Sequence, residues 1–210
     1  MLDTAILAFT TLFATIGPLD VAAMFAVLTA KDTPTLRMRT ALRSTLVATV
    51  ILLLFALLGE IILRSLGISL AALRIGGGIL LLLIGIEMAF AISSGATTTT
   101  EAETQEAATR QDIAVFPLAT PLIAGPGAMG AIILLMAGTD GVFLLQVAVI
   151  ATLLLMLLIT LASMLLATHI YRVLGVTGMH VISRVMGVLL SALAVQFILD
   201  GIQQSGLLGS

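Results

Sequence analysis

Apolar residues dominate six windows of the chain, at roughly 4–30, 41–63, 68–92, 114–137, 142–168 and 183–205. Each reaches the ~20 residues that a helix needs to cross the hydrocarbon core of a bilayer. None shows the polar–apolar alternation of a membrane barrel strand. Lipid supplies no partner for an open strand edge, so the pattern predicts an all-α integral membrane protein with six transmembrane helices.

Composition strengthens this reading. Hydrophobic residues make up 60% of the 210 positions and charged residues 10%, against roughly 25% charged in a soluble domain. The mean hydropathy is +1.25. A net charge of −2 with no basic patch argues against a nucleic-acid partner. The chain has no Cys, which removes disulfides, thiolate chemistry and Cys-based metal sites. No metal or cofactor motif appears, so no cofactor is expected.

Charge placement predicts an orientation. Lys31, Arg37, Arg39 and Arg43 fall in the first loop and the start of the second span. Putting them in the cytoplasm brings Arg110, Arg172 and Arg184 to the same side and leaves only Arg64 and Arg74 outside. Both termini are then outside, on the periplasmic face of a bacterial inner membrane. Asp3 and the lack of Lys or Arg before Lys31 make the N-terminus the first span rather than a signal peptide.

Two Gly-Pro pairs interrupt the pattern. Gly17-Pro18 and Gly125-Pro126 lie near the middle of spans one and four, 108 positions apart. Pro inside a helix removes a backbone donor and clashes with the carbonyl a turn earlier. Other matches support a repeat: Asp32 over Asp140 at the same offset, and Ile62-Leu63-Arg64-Ser65-Leu66-Gly67 over Ile170-Tyr171-Arg172-Val173-Leu174-Gly175. After a two-residue insertion Arg74 meets Arg184 and Gly77 meets Gly187. The expected organisation is one membrane domain: residues 1–92 as one three-span repeat, 93–113 as a polar cytoplasmic linker, and 114–205 as a second repeat. The linker carries Thr97 to Thr100 followed by Glu101, Glu103 and Glu106. Three spans per unit is odd, so the second repeat enters the membrane from the other side and the topology is inverted.

The breaks are where chemistry is expected. Pro18 and Pro126 each suit the first position of a new half-helix. Two helix starts near the midplane present amides and partial positive charge, a seat for a carboxylate. Carbonyls ending the preceding half-helices can accept from an ammonium. Such a site suits a small zwitterion, and glycine-rich walls leave little room for a side chain. Candidate substrate-binding residues are Ile16, Gly17, Pro18, Leu19 and Asp20 at the first break. At the second they are Thr120, Ala124, Gly125, Pro126, Gly127 and Ala128, with Pro117 and Pro121 loosening the segment before them. Two acids inside spans, Asp20 and Glu87, are candidates for coupling H+ or Na+. Asp20 equally suits a capping role at the third position of its half-helix. Glu87 lies near enough to the end of its span to reach the surface.

The stretch Ala119-Thr120-Pro121-Leu122-Ile123-Ala124-Gly125-Pro126-Gly127-Ala128 resembles the hallmark motif of the MarC family, also called the SnatA or NAAT family. Leu12-Phe13-Ala14-Thr15-Ile16-Gly17-Pro18-Leu19-Asp20 resembles that family's other motif. It departs from it by exchanging the acid and the glycine around Pro18. Length, six spans and the polar central loop fit as well. The resemblance implies transport, in the export direction, of small neutral amino acids such as glycine and alanine.

Other readings are weaker. Gly76-Gly77-Gly78 lacks the Lys-Ser/Thr of a phosphate loop and fits close helix packing. His169 and His180 fall in an expected solvated loop. Glu60 and Arg64 stand one turn apart and can pair. The Gly-x-Ser-Gly of a rhomboid-type protease is missing, and Gly17-Pro18-Leu19-Asp20 only echoes the Gly-x-Gly-Asp of an intramembrane aspartyl protease. No enzyme is expected. A channel or efflux protein for other small solutes is the alternative to a carrier, and self-association into a homo-oligomer is compatible with either.

Overall fold

The computed structural model describes residues 1–90 and 113–206. Of the linker expected at 93–113, residues 93–112 lie outside the described residues, as do the side chains of Glu60, Arg64, His169, Arg172 and His180. All regular structure among the described residues is helical. The helices are α1 (Leu2–Ile16), α2 (Pro18–Leu28), α3 (Pro34–Ser65), α4 (Leu70–Phe90), α5 (Ala114–Ile123), α6 (Pro126–Ala137), α7 (Phe143–Leu165) and α8 (Ala167–Gln204). Five stretches are long and apolar enough to span a membrane: Leu2–Leu28, Pro34–Gly59, Ala71–Phe90, Phe143–Leu165 and Arg184–Gln204. A sixth is the pair α5 and α6, bent by 52°.

One expectation is corrected. The polar stretch between spans five and six is helix, not loop. A single residue, Leu166, separates α7 from α8, and the backbone runs helical from Ala167 to Gln204. No Pro interrupts that stretch, and Gly175 and Gly178 weaken a helix without ending it. At 38 residues and ~1.5 Å per residue, α8 outreaches a ~30 Å hydrocarbon core. The Arg-x-Leu-Gly sequence shared by the two halves thus has two outcomes. Gly67 takes a left-handed φ of 70° and the chain turns after α3, whereas Gly175 stays inside α8.

The tightest packing joins α4 and α8, which run antiparallel along a seam of small residues. Ala71, Gly78 and Gly85 recur every seven residues on α4, and Gly187, Ala194 and Gly201 do so on α8. A Cβ on Gly85 would stand 2.9 Å from the Gly187 carbonyl oxygen. One on Gly78 would stand 2.9 Å from the Ala194 oxygen, and one on Gly201 would stand 2.9 Å from the Ala71 oxygen. Backbones this close gain dispersion contacts that larger side chains would prevent. A seven-residue spacing keeps the seam on one face over many turns. The glycine triplet divides its work: Gly78 meets α8, Gly77 meets Leu134 of α6, and Gly76 faces open space.

Around this pair, α1 and α2 pack on α7, while α5 and α6 pack on α3. Helix α3 also packs on α7, α2 on α8, and α6 on α4. At the centre α1 lies against α6 and α2 against α5. Two apolar clusters fill the interior. The larger joins Leu12, Phe25, Leu52, Ile123, Leu153 and Met156, and the smaller joins Ala14, Leu81, Ile84, Leu134 and Leu190.

Gly85→Leu tests the seam. Inserting bulk where Ser191 N already stands 2.8 Å from the Cβ position should cost about 1–3 kcal/mol. Thermal unfolding in detergent reads it out, and Gly76→Leu, facing open space, should unfold close to wild type.

Candidate functional site

The two helix ends at Gly17 and Gly125 are built differently. At the first, α1 closes on Gly17, which is left-handed (φ 59°, ψ 63°) and donates its N–H to the Phe13 oxygen at 3.0 Å. That conformation suits Gly, which has no Cβ to clash. Helix α2 begins at once with Pro18, and its first bond runs from Val21 N–H to the Gly17 oxygen at 3.0 Å. At the second, Gly125 is extended (φ −81°, ψ 171°) and α6 begins at Pro126. The first bond of α6 runs from Met129 N–H to the Gly125 oxygen at 2.9 Å. The amides of Leu19 and Asp20, and those of Gly127 and Ala128, therefore precede the first bond of their helices.

Helix α5 reaches the second break by an unusual route. Phe116 (φ −130°, ψ 125°) and Thr120 (φ −132°, ψ 128°) are extended, each directly before a Pro, as the ring of the following residue demands. Bonds span five residues here, from Leu118 N–H to the Ile113 oxygen (3.4 Å) and from Ala124 N–H to the Ala119 oxygen (2.9 Å). The Thr120 hydroxyl donates to the Val115 oxygen at 3.2 Å. These bonds satisfy backbone groups that two prolines would otherwise leave open.

The breaks also differ in exposure. Ala124, Gly125, Gly127 and Ala128 are buried, and Pro126 is exposed. A Cβ on Gly125 would strike the Pro121 carbonyl oxygen, and one on Gly127 would strike Ile84 of α4. At the first break Ile16 and Pro18 are buried, Gly17 and Leu19 are half-buried, and Asp20 is exposed. The Asp20 carboxylate lies over Gly17, with Oδ2 3.2 Å from where a Cβ on that glycine would be. A small cleft opens there between Phe13, Gly17, Leu19, Asp20, Met88 and Met186. Its volume is about 10 Å³, the room of one water molecule.

The cleft is lined by four of the five first-break residues that the sequence singles out, Gly17, Pro18, Leu19 and Asp20 but not Ile16, and by none from the second. Its far wall comes from Met88 on α4 and Met186 on α8. No sequence signal marks them; the α4–α8 seam carries them to the break. Glu87, half-buried and three residues from the end of α4, does not line the cleft.

The model of MarC family integral membrane proteins matches residues 2–205. The chain belongs to the MarC family. A UPF0056 membrane protein of Methanocaldococcus jannaschii is 39% identical over 201 residues, covering 94% of this chain and 95% of that protein. The UPF0056 membrane protein YhcE of Escherichia coli is 36% identical over 200 residues, covering 93% and 90%. One from Aquifex aeolicus is 38% identical over 166 residues, covering 78% and 75%. No solved structure matches the chain at a significant level. This MarC-family protein is therefore an integral membrane protein along nearly its whole length.

Gly17→Ala should destabilise the protein by about 1–2 kcal/mol through the left-handed backbone alone. Gly17→Asn, which tolerates that region better, should lose less. Thermal midpoints of the two variants, compared with wild type, give the order.

Proposed function

We infer that the protein is a secondary transporter of the cell inner membrane, carrying small neutral amino acids such as glycine and alanine by alternating access. The observation that carries this reading is the pair of helix starts inside apolar spans, α2 at Pro18 and α6 at Pro126, with α1 against α6 and α2 against α5. Exchange residues 2–90 for 114–204, so that α1 maps to α5, α2 to α6, α3 to α7 and α4 to α8. The main contacts then map onto one another. The packing of α1 and α2 on α7 becomes that of α5 and α6 on α3, and α2 on α8 becomes α6 on α4. Two inverted three-span repeats about an axis in the membrane plane would pack in this manner.

Each half-helix start supplies amides and the positive end of a dipole to a substrate carboxylate. Leu19 would serve from α2, with Gly127 and Ala128 from α6. Carbonyls ending α1 would accept from the ammonium. The 10 Å³ cleft is too small for even glycine, so on this reading the described conformation would be a closed one. Binding requires the α4 side chains at Met88 and Ile84 to draw away from the breaks. Asp20, the one acid at either break, is the candidate to take up H+ or Na+, and Glu87 is the second. The positive charge of Lys31, Arg37, Arg39 and Arg43 supports a cytoplasmic α2–α3 connection, which would leave both termini periplasmic.

Counterflow in proteoliposomes decides between a carrier and a pore. Labelled glycine or alanine should accumulate transiently against preloaded unlabelled substrate and saturate with concentration. Flux that neither saturates nor responds to competing substrate would leave the channel reading. Asp20→Asn separates coupling from capping. Loss of the pH or cation dependence with an unchanged thermal midpoint supports coupling; a lowered midpoint with coupling intact supports capping alone.

A further inference from the structure

A larger cavity lies at the other end of α2, away from both breaks. Its volume is about 140 Å³. Phe25 and Ala26 of α2, Met38 of α3, and Met164 and Leu165 of α7 form its apolar walls. Its charged wall is Arg37. The guanidinium is held in place: Nε donates to the Thr29 oxygen at 2.9 Å and Nη2 to the Ala30 oxygen at 3.1 Å. These are carbonyls at the end of α2, so Arg37 completes that helix terminus. A guanidinium has five N–H donors in a rigid fork. Among the described residues the other three have no protein acceptor.

The cavity sits at the level where α2 ends, α3 begins and α7 ends, which is the edge of the apolar belt. Lys31, Arg39 and Arg43 are exposed at the same end, against Asp32 as the acid of that connection. Met38, Leu165 and Leu166 are exposed as well. Cationic and apolar surfaces therefore meet at one place. A free small anion would make no use of Phe25 and Met164, and a bare acyl chain would make no use of Arg37.

The geometry points to a binding site for an anionic phospholipid, with the phosphate on the Arg37 fork and the first part of an acyl chain in the cavity between α2, α3 and α7. Arg suits this role because its planar fork can bond a phosphate through two N–H groups at once. Basic pockets between transmembrane helices are a known way to hold anionic headgroups. The occupied site would brace the end of α2, the half-helix that begins at Pro18.

The test uses the full chain in phosphatidylcholine nanodiscs titrated with phosphatidylglycerol, read by the thermal midpoint and by lipid retained in native mass spectrometry. Wild type should retain phosphatidylglycerol saturably at one site per chain, with a rising midpoint. Ala26→Leu fills the cavity without altering any charge and should weaken that binding at least tenfold. Arg37→Lys keeps the charge but loses the fork, and should weaken it several-fold. It decides the matter alone if Ala26→Leu does not fold. Neutralising Lys31, Arg39 and Arg43 together should lower only the non-saturating background. Glycerol 3-phosphate at the same concentrations should leave the midpoint unchanged. Wild-type binding in both Ala26→Leu and Arg37→Lys would overturn the proposal. So would equal retention of phosphatidylcholine, or glycerol 3-phosphate acting as well as the lipid, which would mark a free-anion site.

Discussion

A helix surrounded by lipid can be interrupted only where the protein itself satisfies the backbone groups that the interruption frees. Both breaks obey that constraint, by different means. Gly17 folds into the left-handed region so that its own N–H closes α1 on the Phe13 oxygen, and Pro18 starts α2 at the one place where a missing donor costs nothing. At the second break, Pro117 and Pro121 force extended residues before them, and bonds five residues long restore the pairing around Leu118 and Ala124. Helix ends stand inside the apolar belt only because these local solutions exist.

The rest of the bundle supports the breaks. Helices α4 and α8 are locked face to face by Gly78, Gly85, Gly187 and Gly201, at separations where a single Cβ would displace backbone. From that seam, Ile84 covers Gly127 of α6 and Met88 faces Asp20. The seam is the close-packed face that carries Ile84 and Met88 to the two breaks. A cleft with room for one water is all the space that Met88 and Met186 leave beside Gly17 and Asp20.

Much of the fold was legible in the sequence because its cause is local. Long apolar runs can only be helices in lipid, and the six windows correspond to the five candidate spans and the bent pair. The stretch before Arg184 is the exception, and its cause is local too. Its polar residues suggest water, yet polarity does not end a helix, and the stretch lacks the Pro that would. The site was legible only in part. Gly-Pro pairs mark both breaks, but nothing in the pattern distinguishes an exposed Asp20 from a buried Ala128. Met88 and Met186 carry no mark at all. Their place beside Asp20 follows from how two distant helices cross.

The chain by itself determined its solvent, the helical state of its spans, the points where Gly and Pro interrupt them, and the charged end at Lys31 to Arg43, because each depends on residues next to one another. Tertiary structure alone decided which break opens to a cleft, which lies under Ile84, and where Arg37 points. Those depend on side chains far apart in sequence meeting across helix interfaces, and only close packing of the whole bundle brings them together.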